Sequence, residues 1–99
     1  LNYNFEWNNQ KAKSNLTKHG VSFQQGATVF HDQRMLVLYD KEHSTDEERW
    51  ITVGLDHRGI LLTVCHTYTQ ESEHTVRIRI FLRGRAQPKK QSNIRRCEA

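Results

Sequence analysis

The sequence predicts an α+β domain, and three observations predict it. Tyr3, Phe5 and Trp7 alternate with polar residues at the start of the chain, the pattern of a strand that buries one aromatic face. Two segments at helical spacing follow, each with its own start signal. From Met35 onward the apolar pattern turns extended and stays so through four short runs.

Each element has a local reason. Asn8 caps a first helix in which Ala12, Asn15, Leu16 and His19 fall at helical spacing, and Gly20 stops it. Lys18 and His19 sit in its last turn, where positive charge suits the helix dipole. So few large apolar residues place this helix on the surface of the core. Ser22 and Gln25 form a capping-box pattern for a second helix with Phe23, Ala27 and Phe30 on one face. Gly26 inside it costs roughly 1 kcal/mol relative to alanine and permits close packing. Met35 to Tyr39 is a compact apolar strand. Residues 40–48 carry five of the eleven acidic residues and no large apolar residue, and read as an exposed loop. Arg49 to Leu55 and Ile60 to Thr67 are strands joined through Asp56-His57-Arg58-Gly59, a hairpin signal. A polar connection from Thr69 to His74 leads into the last strand. The expected architecture is a strand, then two helices packed on one face of a four- to five-stranded, mainly antiparallel sheet.

That last strand is the most informative stretch. In Val76-Arg77-Ile78-Arg79-Ile80-Phe81 the two-residue period buries Val76, Ile78 and Ile80 on one face and stands Arg77, Arg79 and Phe81 on the other. Planar guanidinium forks side by side suit phosphate, each able to make two charge-assisted bonds. Charge distribution points the same way. Residues 1–74 hold seven Lys+Arg against ten Asp+Glu, and residues 75–99 hold eight against one, so the whole net charge of +4 arises in the last quarter. Such asymmetry fits either a nucleic-acid-facing end or a solvated basic tail.

The remaining composition narrows the class. A chain of 99 residues, 35% hydrophobic, is one domain with one core, and no apolar run has the length of a membrane span. Nothing marks a signal peptide, although the chain begins at Leu1, and a soluble, cytoplasmic protein is expected. Cys65 and Cys97 make neither a disulfide framework nor a zinc spacing, so free thiols are expected. The six histidines give no pair at i and i+4, and neither a metal site nor a cofactor is expected.

Taken in order, Phe5-Glu6-Trp7, Lys11, Asn15, Lys18-His19-Gly20-Val21, Phe23 and Val29-Phe30, then Glu48-Arg49, Ile51-Thr52-Val53-Gly54-Leu55, Arg58-Gly59, Val64, His66-Thr67 and Arg77-Ile78-Arg79-Ile80 resemble the BrnT toxin family of bacterial toxin-antitoxin systems. The resemblance covers about residues 3–81. It implies a RelE-like fold, metal-independent and ribosome-independent endoribonuclease activity on RNA, and a cognate ribbon-helix-helix antitoxin (BrnA-like) that binds the toxin and represses their operon. A toxin dimer within the antitoxin complex goes with that expectation. Departures are Asn8 where aspartate is usual, which caps comparably, and Gln25-Gly26 where Glu-Ala is usual.

A larger departure follows Phe81. Family members continue with Ser-Ala-Arg-Lys and a basic helix containing a tyrosine, whereas this chain reads Leu82-Arg83-Gly84-Arg85-Ala86-Gln87-Pro88. With suitable codons, reading one base earlier from the end of the Phe81 codon yields Ser-Ala-Arg-Lys, so residues 82–99 are explained as an out-of-frame translation of a normal terminus. On this reading residues 1–83 form the toxin domain and residues 84–99 a poorly ordered basic tail. The alternative function is a catalytically degenerate toxin, or a non-enzymatic module that binds RNA or the antitoxin.

Metal-independent RNA cleavage needs a base for the 2′-hydroxyl proton, an acid for the leaving oxygen and cations for the phosphorane charge. His66, on the same alternating set as Leu62 and Val64, is the candidate acid or base, against a structural histidine at a sheet edge. Arg77 and Arg79 are candidate phosphate clamps, against ion pairing to the acidic loop. Arg49 is a candidate to join them, against a pair with Glu47 or Glu48. Lys11, Lys18 and His19 are candidates to track an RNA backbone, against a solvated helix face. Trp7 and Trp50 are candidates to stack bases, against a place in the core, which is the expectation for both.

Overall fold

The protein was analysed as a computed structural model, which describes residues 1–85, with side chains through residue 81. Strand β1 (Asn2–Trp7) leads to helices α1 (Asn9–His19) and α2 (Phe23–Thr28) and a 3-10 turn at Val29–His31. Then come β2 (Leu36–Tyr39), a 3-10 turn at Lys41–His43, β3 (Trp50–Leu55), β4 (Leu61–His66), the two-residue β5 (Thr69–Gln70) and β6 (Thr75–Arg85). The fold is α+β with a mixed, mainly antiparallel sheet, compatible with a RelE-like toxin.

The helix ends form where the local chemistry puts them. Asn8 Oδ1 accepts from the N–H groups of Gln10 (2.9 Å) and Lys11 (3.1 Å), two of the donors a helix start leaves unpaired. Gly20 closes α1 at φ 70°, with its N–H on the Leu16 carbonyl. The capping box is complete: Ser22 Oγ accepts from Gln25 N–H at 3.1 Å, and Gln25 Oε1 accepts from Ser22 N–H at 3.0 Å. The amide of Gln25 also donates to Asp56 Oδ2 at 3.3 Å. That bond ties α2 to the β3–β4 turn.

The strand order is β1-β6-β4-β3-β2, with β5 also on β6. One strand exceeds the expected four or five, and one pair within the mainly antiparallel sheet is parallel. β1 joins the sheet parallel to β6, in register from Asn2 opposite Thr75 to Trp7 opposite Ile80. The segment expected as a polar connection contributes β5, which pairs antiparallel with Arg77 and Val76. β6 runs to Arg85, so the expected domain boundary after residue 83 falls inside this strand. Residues 86–99, which hold most of the expected tail, lie outside the described residues.

The core lies between the helices and one sheet face. Val21, Phe23, Val29 and Phe30 pack there on Leu62, Val64, Val76, Ile78 and Ile80, with Tyr3, Phe5 and Trp7 at the margin. The turn at Val29–His31 lies so close to β3 that a Cβ on Gly54 would meet Val29 Cγ1 at 2.9 Å. Asp40 is buried although residues 40–48 were expected to be exposed. Its N–H donates to the Arg49 carbonyl at 2.9 Å, and Ser44 Oγ accepts from Arg49 N–H at 2.9 Å, which closes the loop at its base. Cys65 is buried on β4; Cys97 lies outside the described residues, and with it the expectation about the two thiols. No helix among the described residues is long and apolar enough to cross a membrane.

Candidate functional site

A two-residue period decides which side chains of β6 leave the core. Arg77, Arg79 and Phe81 stand on the face opposite α1 and α2. Between β4 and β6 the register shifts: His66 opposes Ile80 while Cys65 opposes Leu82, so Phe81 is the extra residue of a bulge. Bulges re-aim side chains near functional sites. Here the bulged residue supplies a platform. The guanidinium carbon of Arg79 lies 4.9 Å from the Phe81 ring centroid and that of Arg49 lies 4.3 Å from it. Two cations on one ring repel each other, and each gains only about 0.5–2 kcal/mol from the ring. The Nε atoms of both arginines are buried and have no hydrogen-bond partner among the described residues. Two guanidinium groups gathered on one ring are chemically suited to an anion through their outer N–H groups, while the sealed Nε atoms face inward.

Glu47 is the group beside them that carries negative charge, its carboxylate bonded to Arg79 Nη2. Both side chains are about two-fifths exposed. An ion pair in such solvent contact contributes at most about 1 kcal/mol, so a phosphodiester can displace it. Glu47 is separated from Arg79 by 32 positions in sequence. It was missed as a site residue; only the ion pairing expected between the β6 arginines and the acidic loop hinted at it. Arg49 makes no ion pair among the described residues; instead of pairing with Glu47 or Glu48 it stacks on Phe81.

Arg77 is not brought to this cluster. Its Nη2 lies 3.0 Å from Glu71 Oε2, and Asn4 Nδ2 donates to the other oxygen at 3.1 Å. This arrangement links β6 to β1 and the segment after β5.

His66 is inside the core, wholly inaccessible to solvent. Its Nδ1 donates to the Thr67 carbonyl at 2.7 Å, which leaves Nε2 to accept from the Thr52 hydroxyl at 2.6 Å. Phe30 packs edge-on at 4.9 Å between ring centroids. Burial pushes its pKa down to about 4, against a smaller opposing effect of the Thr67 carbonyl. A neutral ring with both nitrogens occupied and no path to solvent holds strands together. It does not meet RNA in this arrangement.

Lys11 and Lys18 are exposed on α1, with His19 partly covered, in the layer behind the sheet. They share no surface with Arg49 and Arg79. Trp7, partly buried at the margin of the core, packs edge-on against Phe23. Trp50 is at the rim, half-buried, with Tyr39 edge-on at 5.1 Å. It lines a shallow depression with Glu47, Glu48, Thr67, Tyr68 and Thr69 at the end of the sheet. A second depression holds Thr28, His31, Asp32, Leu55, Asp56 and His57. Its carboxylates are structural. Asp32 accepts from the N–H groups of Leu55 and Arg34, which hold its pKa below the ordinary value. Burial raises Asp56, but bonds from Ile60, Arg58 and Gln25 outweigh that and leave it lowered too. Among the described residues, no three His, Cys, Asp or Glu side chains are grouped to hold a metal ion.

Comparison with known proteins identifies the family. The family model described as ribonuclease toxin, BrnT, of type II toxin-antitoxin system matches residues 7–90. The match runs past Phe81, into the segment expected to diverge from the usual terminus. No curated protein matches the chain. A match over so much of the chain, on a sheet and helices compatible with that fold, shows that the protein belongs to the BrnT family of type II toxin-antitoxin ribonuclease toxins.

Proposed function

We propose that the protein is an endoribonuclease that cleaves RNA without a metal ion, by attack of a ribose 2′-oxygen on the adjacent phosphorus. The observation that carries this is the stacking of Arg49 and Arg79 on Phe81, which gathers two guanidinium groups on the sheet face opposite the helices. In the proposed reaction the two guanidinium groups hold the scissile phosphate and stabilise the charge that grows on its oxygens. Phosphate takes over Arg79, and the Glu47 carboxylate, released beside it, accepts the 2′-hydroxyl proton. The new P–O2′ bond forms as the P–O5′ bond breaks. The products are a 2′,3′-cyclic phosphate and a 5′-hydroxyl protonated from water. His66 positions β3 and β4 in this scheme, Arg77 joins the sheet edge, and Lys11, Lys18 and His19 add at most diffuse attraction to RNA.

Family membership implies an RNA substrate and an antitoxin partner. We infer that the partner is a ribbon-helix-helix DNA-binding protein, that toxin and antitoxin assemble around a toxin dimer, and that the pair acts in the cytoplasm. Incubating the purified protein with total RNA in excess EDTA tests the activity. Fragments ending in 2′,3′-cyclic phosphate support it. Binding without cleavage points instead to a degenerate toxin that retains only its docking functions, a reading favoured by the contact that already occupies Arg79.

A further inference from the structure

The depression lined by Glu47, Glu48, Trp50, Thr67, Tyr68 and Thr69 adjoins the arginine pair directly. Glu47 belongs to both. Thr67 is bonded to the backbone of Arg79 in both directions, its N–H to the Arg79 carbonyl at 2.9 Å and its Oγ1 accepting from Arg79 N–H at 3.1 Å. A ligand phosphate on Arg79 therefore leaves its neighbouring nucleotide within reach of this hollow. The cavity is about 330 Å³, at the small end of ligand pockets.

Its lining is opposite in character to the arginine pair. Two carboxylates repel phosphate, so the hollow does not take the backbone. Two aromatic rings suit the flat face of a base. Tyr68 is 46% exposed, and Trp50 is steadied by Tyr39, edge-on at 5.1 Å. Backbone to the arginines and base to the aromatics is the division of labour of single-stranded RNA sites, where unstacked bases are read on their edges.

We propose that this hollow is a nucleobase subsite, and that Glu48 makes it prefer guanine. The proposal rests on the ribonuclease reading of the arginine pair. A carboxylate only accepts hydrogen bonds. Guanine presents two adjacent donors, N1–H and the N2 amino group, and so matches both oxygens of one carboxylate. Adenine and cytosine present an amino group beside an unprotonated ring nitrogen, which repels the second oxygen. Uracil presents one N–H between two carbonyls, which repel it as well.

The two tryptophan indole N–H signals make the test internal, since Trp7 packs on Phe23 at the margin of the core and Trp50 lines the hollow. GMP, AMP, CMP and UMP are titrated separately into the isotope-labelled protein and followed by NMR. The expected result is movement of the Trp50 indole and the Thr67 to Thr69 amides, saturating at least tenfold tighter for GMP than for UMP, with Trp7 still. Glu48→Gln removes the preference for GMP, and Tyr68→Ala weakens all four about tenfold. Mapping cleavage sites in an RNA of mixed sequence is expected to find guanine enriched next to the broken bond. Trp50 unmoved by every mononucleotide, or movement confined to α1, overturns the subsite; equal affinity for all four bases overturns the guanine preference. GMP bound at Trp50 by a protein that cuts no RNA would leave the subsite standing while the ribonuclease reading fails.

Discussion

Thr52 donates to His66 across β3 and β4, Oγ1 to Nε2, at 2.6 Å in a region sealed from solvent. This pair makes stability depend on pH in a defined window. In the unfolded chain His66 titrates near its ordinary 6.5, whereas in the fold it stays neutral down to about 4. Between those values only the unfolded state binds the proton. The contribution is therefore fully present above pH 6.5 and is lost as pH falls toward 4, by about 3 kcal/mol in all. Urea unfolding at pH 7 and pH 4.5 is expected to show a clear drop in midpoint at the lower pH. His66→Gln is expected to be less stable at pH 7 but flatter across the window. An imidazole that NMR finds titrating near 6.5 would contradict this.

Gly54 is expected to tolerate no side chain. A Cβ there would lie 2.9 Å from Val29 Cγ1, 3.1 Å from Asp32 Oδ2 and 3.2 Å from Met35 Cβ. Any shift of Asp32 disturbs the bond it accepts from Leu55 N–H at 2.8 Å. Gly54→Ala is expected to cost about 1–3 kcal/mol, as overpacking does. The measurement is denaturant unfolding at neutral pH, and a variant as stable as the parent would mean that β3 and the 3-10 turn yield easily.

These two sites show what the sequence made legible. The caps at Asn8, Gly20 and Ser22-Gln25 could be read because each is decided within four residues. The placing of His66 was equally readable, since alternation set it with Leu62 and Val64; its residue type, not its pattern, suggested an exposed role. Parallel pairing of β1 with β6 could not be read, because it joins Asn2 to Thr75 and nothing local separates a parallel edge strand from an antiparallel one. β5 was hidden by its two polar residues, whose ladder comes from β6. Arg79 was found through the period of its strand. Glu47 and Arg49 were harder, because what joins them to Arg79 is a loop closed by Asp40 and Ser44 and a bulge at Phe81, both tertiary features.

Three arginines read alike in sequence are expected to differ in effect. Arg49→Ala and Arg79→Ala are each expected to lower kcat/KM for RNA cleavage by about 10²–10³, the usual loss when one stabiliser of transition-state charge is removed. Lysine at either position is expected to restore little, because a point charge neither stacks on Phe81 nor grips phosphate with two parallel bonds. Arg77→Ala, which releases an exposed pair with Glu71, is expected to change the rate only a few-fold. Single-turnover cleavage of a defined RNA gives the comparison, and equal losses at all three positions would mean that the strand acts as a general basic surface.

Glu47 separates a catalytic group from a mere partner of Arg79. If its carboxylate only neutralises Arg79, then Glu47→Gln frees the guanidinium, strengthens RNA binding and leaves cleavage intact or faster. If it also takes the 2′-hydroxyl proton, the same variant binds RNA at least as tightly and yet cleaves about 10²–10⁴ times more slowly, the range general base catalysis supplies. Glu47→Asp is then expected to recover part of the rate, since it keeps the base but shortens its reach. Binding measured with an RNA whose ribose at the scissile position lacks the 2′-hydroxyl keeps affinity apart from chemistry, because that RNA occupies the arginine pair without being cut. Tighter binding together with undiminished cleavage would leave Glu47 as a guard on Arg79, and the proton acceptor would have to be sought elsewhere.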